Sequence, residues 1–507
     1  MRTFEAVLIL VNVFSLFLVF KKQSKAVRLG TAGVHLSVLL LHGVFEGFRY
    51  QMAFAYLFVI LLTVFALIKA NDRFHKTKTQ KGLKVATAGM SFTLFMLTSF
   101  LAYALPVFAL PKPTGTYDVG IKYVHLIDKS RTDPFLDTST KNRELMVKVY
   151  YPAQQDAKTD DRKSVSRYFH NSHGLIRSFT AFYSMPDFVF DHLLLVRTNS
   201  KEGLQLSEQQ QNYPVVLFSH GAGTSMEVQT SQSEDLASHG YIVAAIDHTY
   251  VSAATVFPDR IVSAREATTD FNTVEPAEII TQIMADDAAF VMEQLSEMND
   301  GKFDSLFEGK LDLEKIGIIG HSVGGAVAYN QAINDSRVKA AINLDGRVYI
   351  TPEDPKNMAA FLMLASDKYY VQTLQDRQSL LKNFEDMTSE EKKNILFMYG
   401  SQEAYDEAYN KDFQNVVGLT DVLDISGNLF TIEGSDHMKF TDIGLFIGAS
   451  QLRELIGIGG KTDPVKCLAI TKSLTVAFFD QHLKGENKVT LESLLKKYPS
   501  LKRIDLQ

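Results

Sequence analysis

A pentapeptide at residues 320–324, Gly-His-Ser-Val-Gly, fits the pattern G-x-S-x-G and stands between a strand-like and a helix-like run. The run before it, 316–319, is Ile-Gly-Ile-Ile, and the run after it, 326–333, has a helical pattern. A serine at such a turn is held in a strained conformation, and glycines flank it because the backbones pack too closely for a β-carbon. The pattern therefore predicts a nucleophile elbow with Ser322 exposed at the edge of a sheet.

A serine hydroxyl is a weak nucleophile until an imidazole removes its proton. In chains with this elbow the order is serine, then acid, then histidine. Of the 13 histidines, only His437 and His482 follow Ser322. His437 lies in a Gly-Ser-Asp loop after the strand-like run 429–432, whereas His482 lies in a helical pattern near the C-terminus. We expect His437 to be the base.

Two carboxylates after the serine end strand-like runs, and either could orient the imidazole. Asp345 closes the run 340–344, and Asp367 closes the run 360–366. Among proteins with this elbow, the acid more usually occupies the position of Asp367. A subgroup of these proteins has its acid at the position of Asp345. The residues alone leave both candidates open.

An oxyanion hole needs two backbone N–H groups, one from the residue after the nucleophile and one from a loop after an earlier strand. Val323 supplies the first. A strand-like run leads into His-Gly-Ala-Gly at 220–223, whose small residues let the backbone approach a substrate carbonyl. The N–H of Ala222 is therefore the second expected donor. His220 and His321 are expected to be structural neighbours, because neither falls where the base belongs.

Six segments, which span most of the chain after about residue 115, form a further set of motifs. They are Leu-Phe-Ser-His-Gly-Ala-Gly at 217–223, Ala-Ile-Asp-His at 245–248, Val-Phe-Pro-Asp at 256–259, Gly-His-Ser-Val-Gly-Gly-Ala at 320–326, Asn-Leu-Asp-Gly at 343–346 and Gly-Ser-Asp-His-Met-Lys-Phe-Thr-Asp at 434–442. This set resembles the platelet-activating factor acetylhydrolase family, which includes the lipoprotein-associated phospholipase. The resemblance implies a triad of Ser322, Asp345 and His437. It also implies hydrolysis of short or oxidised acyl chains from phospholipids without calcium.

Four apolar runs occupy the first 110 residues, at 4–20, 31–45, 52–68 and 85–110. A helix needs about 20 residues to cross the hydrocarbon core of a bilayer. The first and third runs are slightly short, the second is marginal and the fourth is ample. We expect an all-α domain of about four transmembrane helices, with a re-entrant or interfacial segment as the alternative for the second run.

Basic residues predict how these helices are oriented. The segment 21–28 holds four of them after the first apolar run, whereas a secretory signal places its charge before the run, so we expect an uncleaved anchor. The segment 69–84 holds six more. Cytoplasmic loops carry the excess of Lys and Arg, so four spans would put the C-terminal domain outside the cell membrane. The single cysteine, Cys467, excludes an intrachain disulfide.

Pro111, Pro113 and Gly115 mark a linker, which divides the chain into a transmembrane domain at 1–110 and a catalytic domain at 111–507. In the second domain, strand-like runs alternate with helical patterns. This predicts a mostly parallel, doubly wound sheet of the α/β-hydrolase fold class, with its site at the carboxyl ends of the strands. The expected strands are 119–127, 145–151, 215–218, 241–246, 316–319, 340–344, 361–365 and 429–432.

Two insertions are candidates for shaping the site. The segment 168–196 is rich in Phe, Leu and Tyr, and it could form a lid or dip into the outer leaflet. Ordinary packing against the sheet is the alternative. The segment 369–413 is expected to be helical and carries many charges.

Four further ionisable residues are expected to have structural roles. His35 and His42 lie seven apart on one face of the second apolar run, and ionisable groups inside a membrane are functional candidates by default. No third ligand is apparent, so a helix-packing role is favoured. Asp286 and Asp287 are adjacent on a helical pattern and point about 100° apart, which favours a solvated or capping role.

The net charge of −6 argues against a nucleic-acid partner, and neither a P-loop nor a metal-ligand spacing occurs, so no cofactor and no metal are expected. The expected function is a membrane-anchored serine carboxylic ester hydrolase that works through an acyl-enzyme. Its expected substrates are phospholipids or other lipids with short acyl chains. A serine peptidase or amidase, a detoxifying esterase for small esters, and a membrane sensor with a silent hydrolase-like domain are the alternatives.

Overall fold

The structure is a computed structural model, and it describes the whole chain except residues 19–20, 22, 71–80, 138–139, 155–164, 270–275, 367–368 and 507. The α-helices of this described part are α1 Thr3–Leu18, α2 Lys25–Phe45, α3 Ala53–Ala70, α4 Lys81–Ala104, α5 His173–Phe182, α6 Thr230–Ser238, α7 Pro276–Asn299, α8 Val323–Asn334, α9 Tyr369–Gln375, α10 Ser389–Tyr399, α11 Gln402–Ser426, α12 Ser450–Leu455, α13 Pro464–Phe479 and α14 Leu491–Lys497. The strands are β1 Asp118–Thr132, β2 Asn142–Ala153, β3 Val165–Arg167, β4 Arg197–Glu202, β5 Tyr213–Ser219, β6 Ile242–Asp247, β7 Ala254–Val256, β8 Ile261–Ser263, β9 Leu311–His321, β10 Val338–Leu344, β11 Ala360–Ala365, β12 Leu429–Ile432 and β13 Leu501–Arg503.

One large sheet has the strand order β13-β12-β11-β10-β9-β5-β6-β2-β1-β4-β3. The six strands from β12 to β6 pair in parallel. Antiparallel strands flank them, because β2 pairs antiparallel with both β6 and β1, and β13 pairs antiparallel with β12. The predicted mostly parallel sheet is confirmed, and all eight predicted strands occur, as β1, β2, β5, β6 and β9 to β12.

The central strands form because helices bury them on both faces. All seven residues of β5 are buried. Leu217 belongs to the same apolar cluster as Val291 of α7, on one face of the sheet. Phe218, which points to the other face, belongs to the same cluster as Leu474 of α13. Parallel strands covered on both faces are continuously apolar, which is the pattern that predicted them.

Four helices form at the four apolar runs of the N-terminal part. By length and composition, α2 and the stretches Tyr50–Ile68 and Val85–Ala104 are able to cross a membrane, whereas α1 is shorter, with 16 residues. The second run lies within one continuous helix of 21 residues. The fourth run was expected to extend to Leu110, but its helix ends at Ala104 because Pro106 disfavours helical backbone in the residue before it.

A buried ion pair ties the helices together at one end of this bundle. Arg49, just before α3, donates to both carboxylate oxygens of Glu5 in α1, at 2.6 and 2.7 Å. The same guanidinium donates to the carbonyls of Ala102 and Leu105 at the end of α4, and Arg2 also binds Glu5. Glu5 and Arg49 are at the starts of α1 and α3, whereas Ala102 is at the end of α4. Consecutive helices therefore run in opposite directions.

The histidines of α2 contact the neighbouring helices, in agreement with the packing role expected for them. His35 Nε2 lies 2.7 Å from the Ser15 hydroxyl of α1. His42 Nε2 lies 2.7 Å from the Tyr56 hydroxyl of α3, and its Nδ1 lies 3.0 Å from the Glu46 carboxylate. Both rings are buried, so these contacts join α2 to the helices on either side of it in the chain.

The end of the bundle that holds Arg49 contacts the C-terminal part of the chain. Gln51 Nε2 donates to the carbonyl of Val189 at 3.2 Å and lies 3.3 Å from His192 Nδ1. Val189 and His192 belong to the residues 168–196, which we call the aromatic segment. A second contact is the 2.8 Å hydrogen bond from the N–H of Gly448 to the carbonyl of Ala104.

The buried ion pair generates a stability prediction. Replacing Arg49 by Met leaves the Glu5 carboxylate buried with only Arg2 as a partner, so we expect a loss of about 3 kcal/mol, the lower end of the cost of breaking a buried pair. Thermal denaturation of the detergent-solubilised protein, followed by the helical circular dichroism signal, measures it. The exposed Lys25 gives the control, because Lys25→Gln should change stability by less than about 0.5 kcal/mol. Equal stability of the Arg49→Met variant and the wild type would contradict the prediction.

Candidate active site

Ser322 occupies the turn between β9 and α8 in a strained conformation, with φ 57° and ψ −124°. Close packing around the turn explains the glycines of the motif. A β-carbon on Gly320 would overlap the carbonyl of Gly324, and one on Gly324 would overlap the carbonyl of Ser219 at the end of β5. The turn therefore has the geometry of a nucleophile elbow.

Asp345 and His437 are in direct contact. Asp345 directly follows β10 and also has a positive φ, 57°. Its Oδ2 lies 2.7 Å from His437 Nδ1, and its Oδ1 accepts the N–H of Ser366 at 2.7 Å. The Asp345 side chain is 5% exposed and that of His437 is 37% exposed. The carboxylate is thus enclosed, while the imidazole reaches the surface of the site.

This contact determines which nitrogen of His437 is available. A carboxylate accepts hydrogen bonds, so Nδ1 carries the ring proton and donates it to Asp345. The Nε2 lone pair is then free to accept a proton, as a general base requires. Of the alternatives, Asp367 lies outside the described residues, and the ring of His482 packs on Phe478 with a centroid distance of 4.6 Å.

His321 holds the loop that carries the imidazole. Its Nε2 donates to the carbonyl of His437 at 2.9 Å, and the two rings are 4.4 Å apart between centroids. Burial lowers the pKa of His321 well below its ordinary value, and a positive charge on His437 would lower it further. The ring next to Ser322 is therefore neutral, and its contacts agree with the structural role expected for it.

Two backbone N–H groups beside the serine have no protein acceptor. Within the part of the chain that the structure describes, neither the N–H of Ala222 nor that of Val323 donates to a protein group. Their loops are close to each other, as shown by the 3.0 Å that would separate a β-carbon on Gly221 from the β-carbon of Ser322. The arrangement offers two free donors at the elbow, which is what an oxyanion hole needs.

The aromatic segment lies against the loop that contains Ala222. A β-carbon on Gly223, whose φ is 69°, would overlap the ring of Phe182, and the Tyr183 hydroxyl donates to the Gly223 carbonyl at 3.1 Å. Most aromatic side chains of the segment are buried in one apolar cluster, but Phe182 is 39% and Phe188 is 54% exposed. The segment therefore packs into the domain, as one alternative predicted, and also presents aromatic surface.

The prediction made from the sequence for Asp287 is wrong. It was expected to be solvated or to cap a helix, and only the exposed Asp286 fits that description. Asp287 is fully buried and accepts hydrogen bonds from Arg143 at 2.7 and 3.1 Å, from Arg131 at 2.9 Å and from His248 Nδ1 at 3.0 Å. Burial alone would raise the pKa of Asp287, but the charge of Arg143 and the hydrogen bonds outweigh it and hold the pKa far below its usual range.

Sequence reasoning assigned no role to His248, which connects this buried carboxylate to the site. Its Nε2 lies 3.2 Å from the hydroxyl of Ser219, and its backbone N–H donates to His220 Nε2 at 3.1 Å. The only signal in the sequence was its place in the Ala-Ile-Asp-His motif at 245–248. Its partners come from distant parts of the chain, and no local pattern announces them.

Known proteins similar to this chain are named as acetylhydrolases and esterases. The family model described as "Platelet-activating factor acetylhydrolase, isoform II" matches residues 104–497. The platelet-activating factor acetylhydrolase of Cavia porcellus is 22% identical over 395 residues, which cover 74% of this chain and 78% of that protein. A probable 1-alkyl-2-acetylglycerophosphocholine esterase of Arthroderma benhamiae is 25% identical over 263 residues, which cover 50% and 63%. A solved ferulic acid esterase from Streptomyces cinnamoneus has a TM-score of 0.53 and 25% identity, and the match covers 79% of this chain and 100% of that one.

The sheet, the elbow and these neighbours define the protein as an ester hydrolase of the α/β-hydrolase fold. The family match covers well over half of the chain. The chain therefore belongs to the platelet-activating factor acetylhydrolase family, isoform II. The match begins at residue 104, so the four helices of the bundle precede it almost entirely.

The contact of Asp345 with His437 predicts that removing the negative charge of Asp345 lowers kcat, whereas the same change at Asp367 does not. Asp345→Asn keeps the shape but presents an amide to Nδ1, which favours the wrong tautomer of the ring. We expect kcat for ester hydrolysis to fall about 10⁴-fold, as in other triads in which the acid becomes an amide. Asp367→Asn is the matched control and should change kcat by less than about threefold. A large loss in the Asp367 variant alone would show that the acid assignment is wrong.

Proposed function

We propose that this protein is a membrane-anchored serine ester hydrolase that removes short acyl chains from phospholipids or related lipids through an acyl-enzyme. The observation that carries the proposal is the 2.7 Å contact between Asp345 and His437, at the same sheet edge as the strained Ser322. Membership of the family supports an ester as the substrate. The names of the relatives, acetylhydrolase and 1-alkyl-2-acetylglycerophosphocholine esterase, support a short acyl chain on a glycerophospholipid.

In the proposed reaction, Ser322 Oγ attacks the acyl carbonyl while His437 Nε2 takes the hydroxyl proton. The N–H groups of Ala222 and Val323 bind the oxyanion of the tetrahedral intermediate. When the ester bond breaks, His437 delivers the proton to the leaving alcohol, and the acyl group remains on the serine. Water then attacks the acyl carbon while His437 takes one of its protons. The bond between the acyl carbon and Ser322 Oγ breaks, His437 returns the proton to Oγ, and the carboxylic acid leaves. Asp345 holds the ring in the required tautomer through both halves.

The electrostatic contribution of the two donors is substantial. Removal of one oxyanion donor typically lowers kcat about 10²- to 10³-fold, because the developing charge is then left without a preorganised partner. Ala222 and Val323 are suited to this role because neither N–H group donates to an acceptor within the described residues. The reaction as proposed uses side chains and backbone groups of this chain throughout.

We propose that residues 1–110 form a four-helix membrane domain and that 111–507 form the catalytic domain on the outer side. The alternating directions of α1 to α4 support four spans. The basic segments 21–28 and 69–84 join the helices at the opposite end from Arg49, and that opposite end would be the cytoplasmic one. The end that holds Arg49 contacts the aromatic segment and would be the outer one.

The position of the aromatic segment supports access of substrate from the membrane. One side of the segment contacts the end of the bundle through Gln51, and the other contacts the Gly223 loop beside the oxyanion donors. Phe188 lies 6.2 Å from Tyr50 between ring centroids, and both side chains are exposed. Aromatic rings at the end of membrane helices favour the interface between lipid and water. A lipid of the outer leaflet would therefore meet the site beside this segment.

A soluble small ester is the second candidate substrate. The whole chain of the ferulic acid esterase is matched, so a similar fold serves an ester that is not a phospholipid. A peptidase or amidase would use the same triad, and a silent sensor would have no turnover. Product analysis on matched ester, amide and phospholipid substrates separates these possibilities.

A labelling experiment tests the nucleophile and the topology together. Intact cells that express the protein are treated with a membrane-impermeant fluorophosphonate, which reacts with an activated serine. We expect labelling of the wild type without lysis and none of Ser322→Ala. Labelling that requires lysis would contradict the outward orientation, and equal labelling of both proteins would contradict Ser322 as the nucleophile.

The proposed access route predicts a difference between two kinds of substrate. Phe188→Ser removes an exposed ring near Tyr50, so we expect KM to rise about 3- to 10-fold for a short-chain phospholipid in vesicles, in line with losing an aromatic contact of about 1 kcal/mol. KM for a soluble ester should be unchanged. Phe397 on α10 is 90% exposed, and Phe397→Ser is the matched control. Equal KM values on vesicles for both variants would refute access beside this segment.

A further inference from the structure

The buried ring of His220 has a defined tautomer. Its Nε2 accepts the backbone N–H of His248 at 3.1 Å, so the ring proton is on Nδ1. The nearest carboxylate oxygen, that of Asp247, is 3.6 Å from Nε2 and too far to compete for a hydrogen bond. Burial lowers the pKa of His220 to about 3, so the ring stays neutral with this one donor. Nδ1 then donates to the carbonyl of Gly221 at 2.8 Å.

The carbonyl of Gly221 and the N–H of Ala222 belong to one peptide unit. No cis peptide bond occurs in the described residues, and in a trans peptide the C=O and N–H point in opposite directions. Thr224 donates to the same carbonyl through its hydroxyl at 2.6 Å and its backbone N–H at 3.2 Å. Three donors therefore hold the carbonyl on the protein side, and the N–H is left to point away from them.

We propose that His220 is a positioning residue of the oxyanion hole, because its Nδ1–H, together with Thr224, fixes the Gly221–Ala222 peptide with the N–H of Ala222 directed at the reacting carbonyl. The inference rests on the proposed function, in which Ala222 is an oxyanion donor. Without these donors the peptide is free to rotate, and a rotated peptide would present its carbonyl oxygen to the developing negative charge. The histidine thus acts on the transition state through the backbone and does not touch the substrate.

A rigid anchor lies behind His220. The backbone N–H that fixes its tautomer belongs to His248, whose ring lies between Asp287 and the hydroxyl of Ser219. Asp287 in turn binds Arg143, which is fully buried. Paired buried charges hold their partners in narrow geometries. The series Arg143, Asp287, His248 and His220 therefore connects the sheet core to the peptide of the oxyanion hole.

Two substitutions at position 220 separate positioning from packing. His220→Asn places a side-chain amide near the position of Nδ1 and keeps a donor for Gly221, whereas His220→Gln places its amide near Nε2 and loses that donor. Both remove the same ring. We expect His220→Gln to lower kcat about 10- to 100-fold with KM unchanged, which is less than removing a donor outright. We expect His220→Asn to retain kcat within about threefold.

A transition-state readout accompanies the kinetics. A trifluoromethyl ketone forms a tetrahedral adduct with the active serine, so its affinity should fall in parallel with kcat/KM in His220→Gln and not in His220→Asn. Should His220→Gln fail to fold, Thr224→Val removes a second donor to the same carbonyl and is expected to lower kcat about 3- to 10-fold with KM unchanged, at the weak end of the range for loosening an oxyanion donor. Equal losses in the Asn and Gln variants, or wild-type kcat in both, would overturn the inference.

The same assays distinguish failure of this inference from failure of the proposed function. If the wild type and Ser322→Ala hydrolyse the ester equally, the proposed function is wrong and the positioning role falls with it. If the wild type is active, Ser322→Ala is inactive and His220→Gln keeps both the kcat and the inhibitor affinity of the wild type, only the positioning role is wrong.

Discussion

The positive φ of Ser322 is the constraint on which the rest of the site depends. A non-glycine residue adopts this conformation only where its surroundings enforce it. Here the N–H of Ser322 donates to the carbonyl of Leu344 at 3.0 Å, and the N–H of Asp345 donates to that of Leu364 at 2.9 Å. Each residue thus continues the ladder of the next parallel strand before the chain turns. The sheet therefore spaces the serine and the acid by one strand.

Residues near this edge of the sheet also connect the N-terminal helical bundle to the C-terminal part of the chain. The aromatic segment contacts both the bundle and the loop after β5, so a displacement of the bundle would reach the peptide of the proposed oxyanion donor Ala222 through Tyr183 and Gly223. The ion pair of Glu5 and Arg49 holds the end of the bundle on which the segment rests. Removing one partner of a buried pair leaves the other charge uncompensated, so the pair constrains how these helix ends pack. This constraint acts at the end of the bundle that contacts the aromatic segment.

The parts of the fold that the sequence predicted are those with a local signal. Continuous apolar runs marked the buried parallel strands, and glycines marked the elbow. The strands β3, β7, β8 and β13 have three residues each, and β4 reads Arg-Thr-Asn-Ser-Lys-Glu, so no apolar alternation marked them. Pro106 in the sequence already indicated where α4 ends. The prediction extended the run to Leu110 because it considered only hydrophobicity and not the effect of proline on the backbone.

Asp287 could not have been predicted, because its partners depend on the tertiary fold. Arg143 is 144 residues away in the chain and is the second residue of β2, whereas Asp287 lies in α7. A pair of adjacent acids on a helix is usually solvated. The prediction for Asp287 was wrong because the fold buries this residue against two arginines. Asp345 was separated from Asp367 by resemblance alone, and the contact with His437 adds a physical reason for the choice.

Four histidines crowd the site, and their burial divides them into two kinds. Burial holds the pKa of His220 at about 3, lowers that of His248 despite its bond to Asp287, and lowers that of His321 well below the ordinary range. These three rings stay neutral and act as fixed donors and acceptors. If His321 were charged, it would repel the imidazolium that the proposed reaction forms on His437, since the two ring centroids are only 4.4 Å apart. The 37% exposure of His437 and its contact with Asp345 distinguish it from these three rings, and it is the ring that the proposed reaction uses as the base.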